Sequence, residues 1–233
     1  MTKPKSEKPR IAALMPMRHQ SERVPGKNYR LLAGKPLYAH MLETLLSCPE
    51  IDEVVVDTDS PVIFEGLEKN YPQVTRIERP ENLRSGMVPM NDILLHDTGI
   101  VEADYYLQTH STNPLLKPET VSKAIDTFLT NLDTNDSLFS VTRLQIRLYW
   151  GDGSPVNHNL DELLRTQDLP AVYEENSCIF MFSRETLVAR NHRLGYAPMM
   201  FEIDGTEAWD IDEEFDFQIA DFLMQERVKS GNN

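Results

Sequence analysis

The sequence predicts an α/β fold: a three-layer α/β/α sandwich on a largely parallel, doubly wound sheet. Short apolar or β-branched runs alternate with amphipathic stretches along nearly the whole chain, the pattern of repeated β–α units. Prolines open two of the amphipathic stretches, at Pro36 and Pro118, where the first helical turn tolerates them. Residues 144–170, rich in turn formers, break the alternation and read as a small excursion from the sheet rather than a second domain.

Taken in order, Arg10–Pro16 is a buried strand, and Pro36–Leu46 a helix with Leu37, Met41, Leu42 and Leu45 on one side. Glu53–Thr58 is a second strand, 61–69 a helix, 74–79 a short strand and 91–100 a helix. Strand 104–109 precedes the amphipathic helix 118–131, and 137–143 is another strand. Within the excursion a helical patch is expected near Leu160–Arg165. Strand 177–183, a short helix over 184–190, a strand over 199–204 and a closing helix over 213–225 complete the chain. In such sheets ligands sit beyond the carboxyl ends of the strands, so the loops after strands 1, 2 and 4 are the ones to search.

Composition narrows the function classes. The chain has 233 residues, 40% of them hydrophobic and 26% charged, so one domain over residues 10–233 can bury a core without staples. Its net charge of −14 argues against nucleic acid or an anionic membrane as main partner. No apolar run approaches the ~20 residues that span a bilayer. The charged start leads into an apolar run too short for a secretory core, and residues 1–9 read as a flexible tail. Cys48 and Cys178 follow no ligand spacing and read as reduced thiols, which points to the cytoplasm.

Three segments carry chemistry. The loop after strand 1 sets Arg18, Arg23 and Lys27 within ten residues, with Ser21 and Gly26 for tight backbone. Fixed cations and backbone N–H groups are what a triphosphate needs, although a solvated basic turn has the same composition. Near the carboxyl terminus Asp210 and Asp212 alternate across Ile211. Extended, they share one face about 7 Å apart, a spacing for one hard cation such as Mg²⁺. An acidic helix start is the other reading, and it suits Glu213 and Glu214. Leu107–Leu116 offers amide and hydroxyl groups that could read a base or ribose, or simply cap a helix; His110 within it is a single histidine, more often structural than catalytic.

Together these segments resemble the acylneuraminate cytidylyltransferase family, from Ile11 to about Leu223. Arg18, Arg23-Val24-Pro25-Gly26-Lys27-Asn28 and Leu32-Ala33-Gly34-Lys35-Pro36-Leu37 follow its order and spacing. So do Asp57-Thr58-Asp59, Arg79-Pro80-Glu81, Gln108 with Asn113-Pro114-Leu115, Gln167-Asp168-Leu169-Pro170, Asn176 and Asp210-Ile211-Asp212. The resemblance implies CMP transfer from CTP to an acidic sugar of the nonulosonate type, with pyrophosphate released. Related acids such as 3-deoxy-manno-octulosonate or a phosphonate are the alternative acceptors, and a non-catalytic nucleotide-binding protein the alternative class. It implies that Arg18 and Lys27 hold the triphosphate, with Ser21 and Asn28 near the nucleotide and Arg79 and Ser85 near the cytidine. Gln108 and Asn176 would face the acid, Asp210 and Asp212 would hold Mg²⁺, and residues 144–170 would join a homodimer. Four departures stand out: Glu22 and Gly86 where the family often has Lys and Asp, a loop two residues longer after Gln108, and Glu174 where sialic acid enzymes carry Arg. Glu174 is expected to repel an acceptor carboxylate and to disfavour N-acetylneuraminate, with Arg143, Arg147 or Arg165 as replacement cations.

Overall fold

The protein is described from a computed structural model, over residues 8–230. Of the expected tail, residues 1–7 lie outside the described residues; Lys8 donates from Nζ to the Pro49 carbonyl at 3.1 Å.

Nine strands and six α-helices follow in chain order among the described residues: β1 (Ile11–Leu14), β2 (Leu31–Leu32), β3 (Lys35–Pro36), α1 (Leu37–Leu46), β4 (Glu53–Thr58), α2 (Pro61–Asn70), β5 (Thr75–Glu78), α3 (Met90–Ile100), β6 (Tyr105–Gln108), α4 (Pro118–Thr130), β7 (Ser137–Leu144), β8 (Val172–Phe182), α5 (Arg184–Arg190), β9 (Pro198–Glu202) and α6 (Glu214–Lys229). Seven strands form one sheet in the order β5-β4-β1-β6-β8-β7-β9. Only β8 runs against its neighbours, antiparallel to both β6 and β7; the other pairings are parallel.

The sheet is covered on both faces. On one, Met41, Leu42 and Leu45 of α1, Ile63 and Leu67 of α2, and Ala124, Ile125 and Phe128 of α4 pack on Ile11, Ala13, Val54 and Val56. On the other, Leu94 of α3 and Leu187 of α5 pack on Ala12, Leu14, Val55, Phe180 and Phe182. Residues i and i+1 of β1 thus feed opposite cores, which is why its run is continuously apolar. A third cluster seats Phe217, Ala220 and Met224 of α6 against Val24, Leu32 and Leu37, with Ile211 between them.

The differences from expectation are local. The pairing of β2 with β3 was not foreseen, since two residues per strand carry no periodicity. The stretch 160–165 is not helical; a 3-10 turn at Thr166–Asp168 follows it. The expected strand over 177–183 begins five residues earlier, at Val172, because those residues pair with the end of β7. There 142–144 and 172–174 pair with each other alone, and 145–171 extend from this two-stranded ribbon.

A bulge separates ribbon from sheet. Phe139 faces Phe180 but Val141 faces Glu175, and Ser177 takes φ 57° in the excess backbone. Asn176 staples this bulge. Its Oδ1 accepts from Ser140 Oγ at 2.6 Å and from Cys178 N at 3.3 Å, and its Nδ2 donates to Thr142 Oγ1 at 3.0 Å.

Candidate active site

The chain leaves β1 for β4 and β5 on one side, then returns to β6 on the other. The carboxyl ends of β1 and β6 therefore part at a topological switch point, where open α/β sheets leave a crevice. A cavity of about 810 Å³ opens there, between the loops after β1, β5 and β6 and the segment before α6.

The loop after β1 is shaped by Gly26. Its φ of 67° starts the 3-10 turn Lys27–Tyr29, and a Cβ there would meet the Tyr29 ring at 2.9 Å. The turn points Lys27 and Asn28 inward. Asn28 Nδ2 donates to the Arg18 carbonyl at 2.8 Å, and its Oδ1 accepts from Ser111 Oγ at 2.8 Å, tying this loop to the one after β6. Lys27 Nζ donates to the Ile211 carbonyl. Burial lowers the Lys27 pKa, and the charges of Asp210 and Asp212 oppose that shift. Arg18, Ser21, Glu22 and Arg23 complete this wall.

The opposite wall comes from the loop after β5. Arg79 reaches it through a fully buried ion pair with Asp57 at the end of β4. Ser85 and Gly86 follow, and a Cβ at Gly86 would lie 2.6 Å from Arg18 Nη1. An Asp at 86 would have to displace that guanidinium, so the family departure here suits the position of Arg18.

Asp210 and Asp212 form the floor. The segment is held extended because Ile211 is buried, its N–H donates to the Thr112 carbonyl at 3.0 Å, and Asp216 accepts from the backbone of Asp212 and Glu213 in a capping box. Asp216 and Glu213 are thus spent on the helix start, and Glu214 on Arg30. Asp212 pairs with Arg23. Asp210 is different: burial raises its pKa, and its Oδ1 is buried with no hydrogen-bond partner among the described residues. Of the residues expected at the nucleotide, Arg18, Ser21, Lys27, Asn28, Arg79 and Ser85 all line this cavity, as do Asp210 and Asp212.

A family model described as cytidylyltransferase matches residues 12–228. The chain belongs to the cytidylyltransferase family. It is 28% identical over 228 residues to a CMP-N,N'-diacetyllegionaminic acid synthase of Legionella pneumophila, covering 93% of this chain and 97% of that one. It is 24% identical over 224 residues to a pseudaminic acid cytidylyltransferase of Campylobacter jejuni, covering 91% and 95%. In fold it resembles a solved CMP:2-keto-3-deoxy-manno-octonic acid synthetase complexed with CTP, with a TM-score of 0.67 and 17% identity over 94% of this chain and 99% of that one.

Two expected site residues of this cytidylyltransferase lie elsewhere. Asn176 is off the cavity wall, its amide wholly engaged in stapling the β8 bulge. Gln108 is fully buried one layer behind the wall. Its Nε2 donates to the Thr109 carbonyl at 3.0 Å and to Nε2 of the cavity-lining His110 at 3.1 Å. Its Oε1 accepts from Arg193 Nη1 at 2.6 Å. His110 is pulled down to a pKa of about 4, chiefly by burial and then by the Arg193 and Lys27 charges.

Arg193 is the residue sequence reasoning missed. Its guanidinium lies 3.4 Å from the centroid of the Phe180 ring, and burial lowers its pKa to about 10. It stands 3.8 Å from Glu175. Glu174 is exposed across the ribbon from Thr142, one residue out of phase with Glu175, so strand alternation turns it away from Arg193. Arg193 is the cation that reaches Gln108, whereas Arg147 donates to the Leu164 carbonyl and Arg165 pairs with Asp168. Nothing in the local sequence marks Arg193: 85 residues separate it from Gln108.

Proposed function

We propose that this cytidylyltransferase transfers CMP from CTP to a hydroxyl of a nonulosonate-type acidic sugar, releasing pyrophosphate. The observation that carries the reading is the pairing, across one cavity at the switch point, of the cations Arg18 and Lys27 with the carboxylates Asp210 and Asp212. Relatives named for legionaminic and pseudaminic acids support the acceptor class. The acceptor oxygen would attack the α-phosphorus as the bond to the β-phosphate oxygen breaks, pyrophosphate leaves, and the hydroxyl proton passes to solvent or a basic group. Arg18 and Lys27 offset the charge that builds on the phosphates, and the fixed loops supply orientation, so no covalent intermediate is needed.

The donor set fits a hard cation. Asp210 presents a buried, unpartnered carboxylate oxygen, and Asp212 sits two residues away on the same cavity. These two would hold Mg²⁺, which when bound supplies positive charge against the triphosphate. Behind the cavity-lining His110, the buried Gln108 and Arg193 supply a positive charge that suits an acid bound in the cavity.

We assign the homodimer contact to residues 144–170. Ile146, Tyr149, Trp150, Leu160 and Leu163 are exposed on this excursion, an unusual density of apolar surface on a chain this charged. No helix among the described residues is long and apolar enough to cross a membrane, and both cysteines are free and buried, which supports a reducing compartment such as the cytoplasm.

The test is pyrophosphate release with CTP, Mg²⁺ and a panel of acids: legionaminate, pseudaminate, N-acetylneuraminate and 3-deoxy-manno-octulosonate. Turnover with at least one nonulosonate, dependent on CTP and abolished by EDTA, is expected. Equal turnover with GTP, or preference for a neutral sugar, would reject the reading.

A further inference from the structure

Behind the nucleotide wall lies a buried cluster of charge that the reaction itself does not use. Asp57, Arg79 and Asp97 are each 1% exposed. Arg79 Nε donates to Asp57 Oδ1. The second carboxylate, Asp97, comes from the middle of α3, and its neighbour His96 lies with Nδ1 3.1 Å from Asp97 Oδ1. Ligand atoms of Asp57, His96 and Asp97 all lie within 4.8 Å of one another. Asp57 Oδ2 and Asp97 Oδ2 are both buried without a hydrogen-bond donor among the described residues.

Two ionised carboxylates this close, with one buried guanidinium beside them, would repel each other and leave two oxygens unsatisfied. A single proton removes both problems, because a protonated carboxyl donates to its partner while the partner keeps its charge for the arginine. We infer that Asp97 is a positioning residue: as a neutral acid it donates a hydrogen bond to Asp57, and Asp57 in turn holds the Arg79 guanidinium at the nucleotide wall. The inference rests on the reading of that cavity as the CTP site.

The surroundings decide which carboxyl keeps the proton. Burial raises the pKa of both carboxyls, but Asp57 has the Arg79 charge directly against it, whereas Asp97 has burial and the Asp57 charge, which hold its pKa well above the usual carboxylate range. The charged groups facing Asp97 are Asp57 from β4, Arg79 from the segment after β5 and His96 on its own helix. Arg184 of α5, which packs on α3, is engaged with the Thr98 hydroxyl at 2.8 Å and the Leu95 carbonyl instead. At alkaline pH the proton leaves, the pair repels, and Arg79 loses its fixed partner geometry.

The experiment compares wild type, Asp97→Asn and Asp97→Leu. Asn is isosteric, neutral at every pH and still a donor; Leu keeps volume but donates nothing. In the ligand-free protein, infrared spectroscopy at neutral pH should show a protonated carboxyl band that Asp97→Asn removes. In the wild type the KM for CTP should rise about fivefold or more between neutral pH and about pH 9.5, while the KM for the acid stays within about twofold. Asp97→Asn should hold the neutral-pH KM for CTP and flatten its alkaline rise, which separates Asp97 from the titration of Lys27. Asp97→Leu should raise the KM for CTP about tenfold at neutral pH. Absence of the band, or Asp97→Asn weakening CTP as much as Asp97→Leu does, overturns the inference. So does a metal ion that survives EDTA dialysis in wild type and is lost in Asp97→Asn. If CTP does not saturate any form while the band is present, the reading of the cavity has failed and the shared proton stands as a structural device alone.

Discussion

His110 offers a direct measurement of how the loop after β6 is built. Its Nε2 accepts a hydrogen bond from Gln108 Nε2, and the Gln108 amide cannot turn around because its Oε1 accepts from Arg193. A proton on His110 Nε2 would set donor against donor and place a third cation near Arg193 and Lys27. The native state therefore holds His110 neutral, with a pKa of about 4 against 6.5 in the unfolded chain. The folded value is the lower one, so the unfolded state gains the proton first. Stability is intact above pH 6.5 and is lost as pH falls toward 4. At pH 5 this one group should cost about 2 kcal/mol relative to neutral pH. The assay is urea unfolding of ligand-free wild type and His110→Gln at pH 7.5 and pH 5, since a bound anion would itself raise the histidine pKa. Other titrating groups act on both proteins and cancel in the difference. The wild type should lose about 2 kcal/mol more than the variant between the two pH values. A difference below about 0.5 kcal/mol would refute the neutral, hydrogen-bonded assignment.

Three further outcomes are expected. Asp210→Asn should lower turnover more than a hundredfold, about 2.7 kcal/mol of barrier, in steady-state assays; its melting temperature should hold or rise, because the lost charge was buried with an unpartnered oxygen. Arg193→Met should raise the KM for the acid at least about tenfold with the KM for CTP within about threefold; equal effects on both would place Arg193 in general folding rather than in acid binding. Wild type should be a homodimer by light scattering at micromolar concentration, and Trp150→Glu combined with Leu163→Glu should yield a monomer; a monomeric wild type would remove residues 144–170 as an interface.

Much of the cavity lining was readable in the sequence because its parts are local. Arg18 to Asn28 lie in one loop, and Gly26 marks the turn that points Lys27 inward. Asp210 and Asp212 come to share the cavity because the extended segment alternates across the buried Ile211. The surroundings of Gln108 were not readable. Asn176 matched a family position, yet its amide is consumed by a bulge that arises only when β7 and β8 pair. Glu174 and Glu175 differ by one step of strand alternation, and it is Glu175 that stands 3.8 Å from Arg193.

What the sequence determined by itself is therefore the repeated β–α pattern, most element positions and the clustered loop chemistry, all set by periodicity, turn residues and short-range spacing. Tertiary structure alone decided the antiparallel course of β8, the placing of Arg193 against Gln108 and Phe180, and the burial of Asp57, Arg79 and Asp97 in one cluster. Each of these joins residues dozens of positions apart. Their energies come from desolvation and charge at contacts that exist only after the sheet has closed, so no local pattern records them.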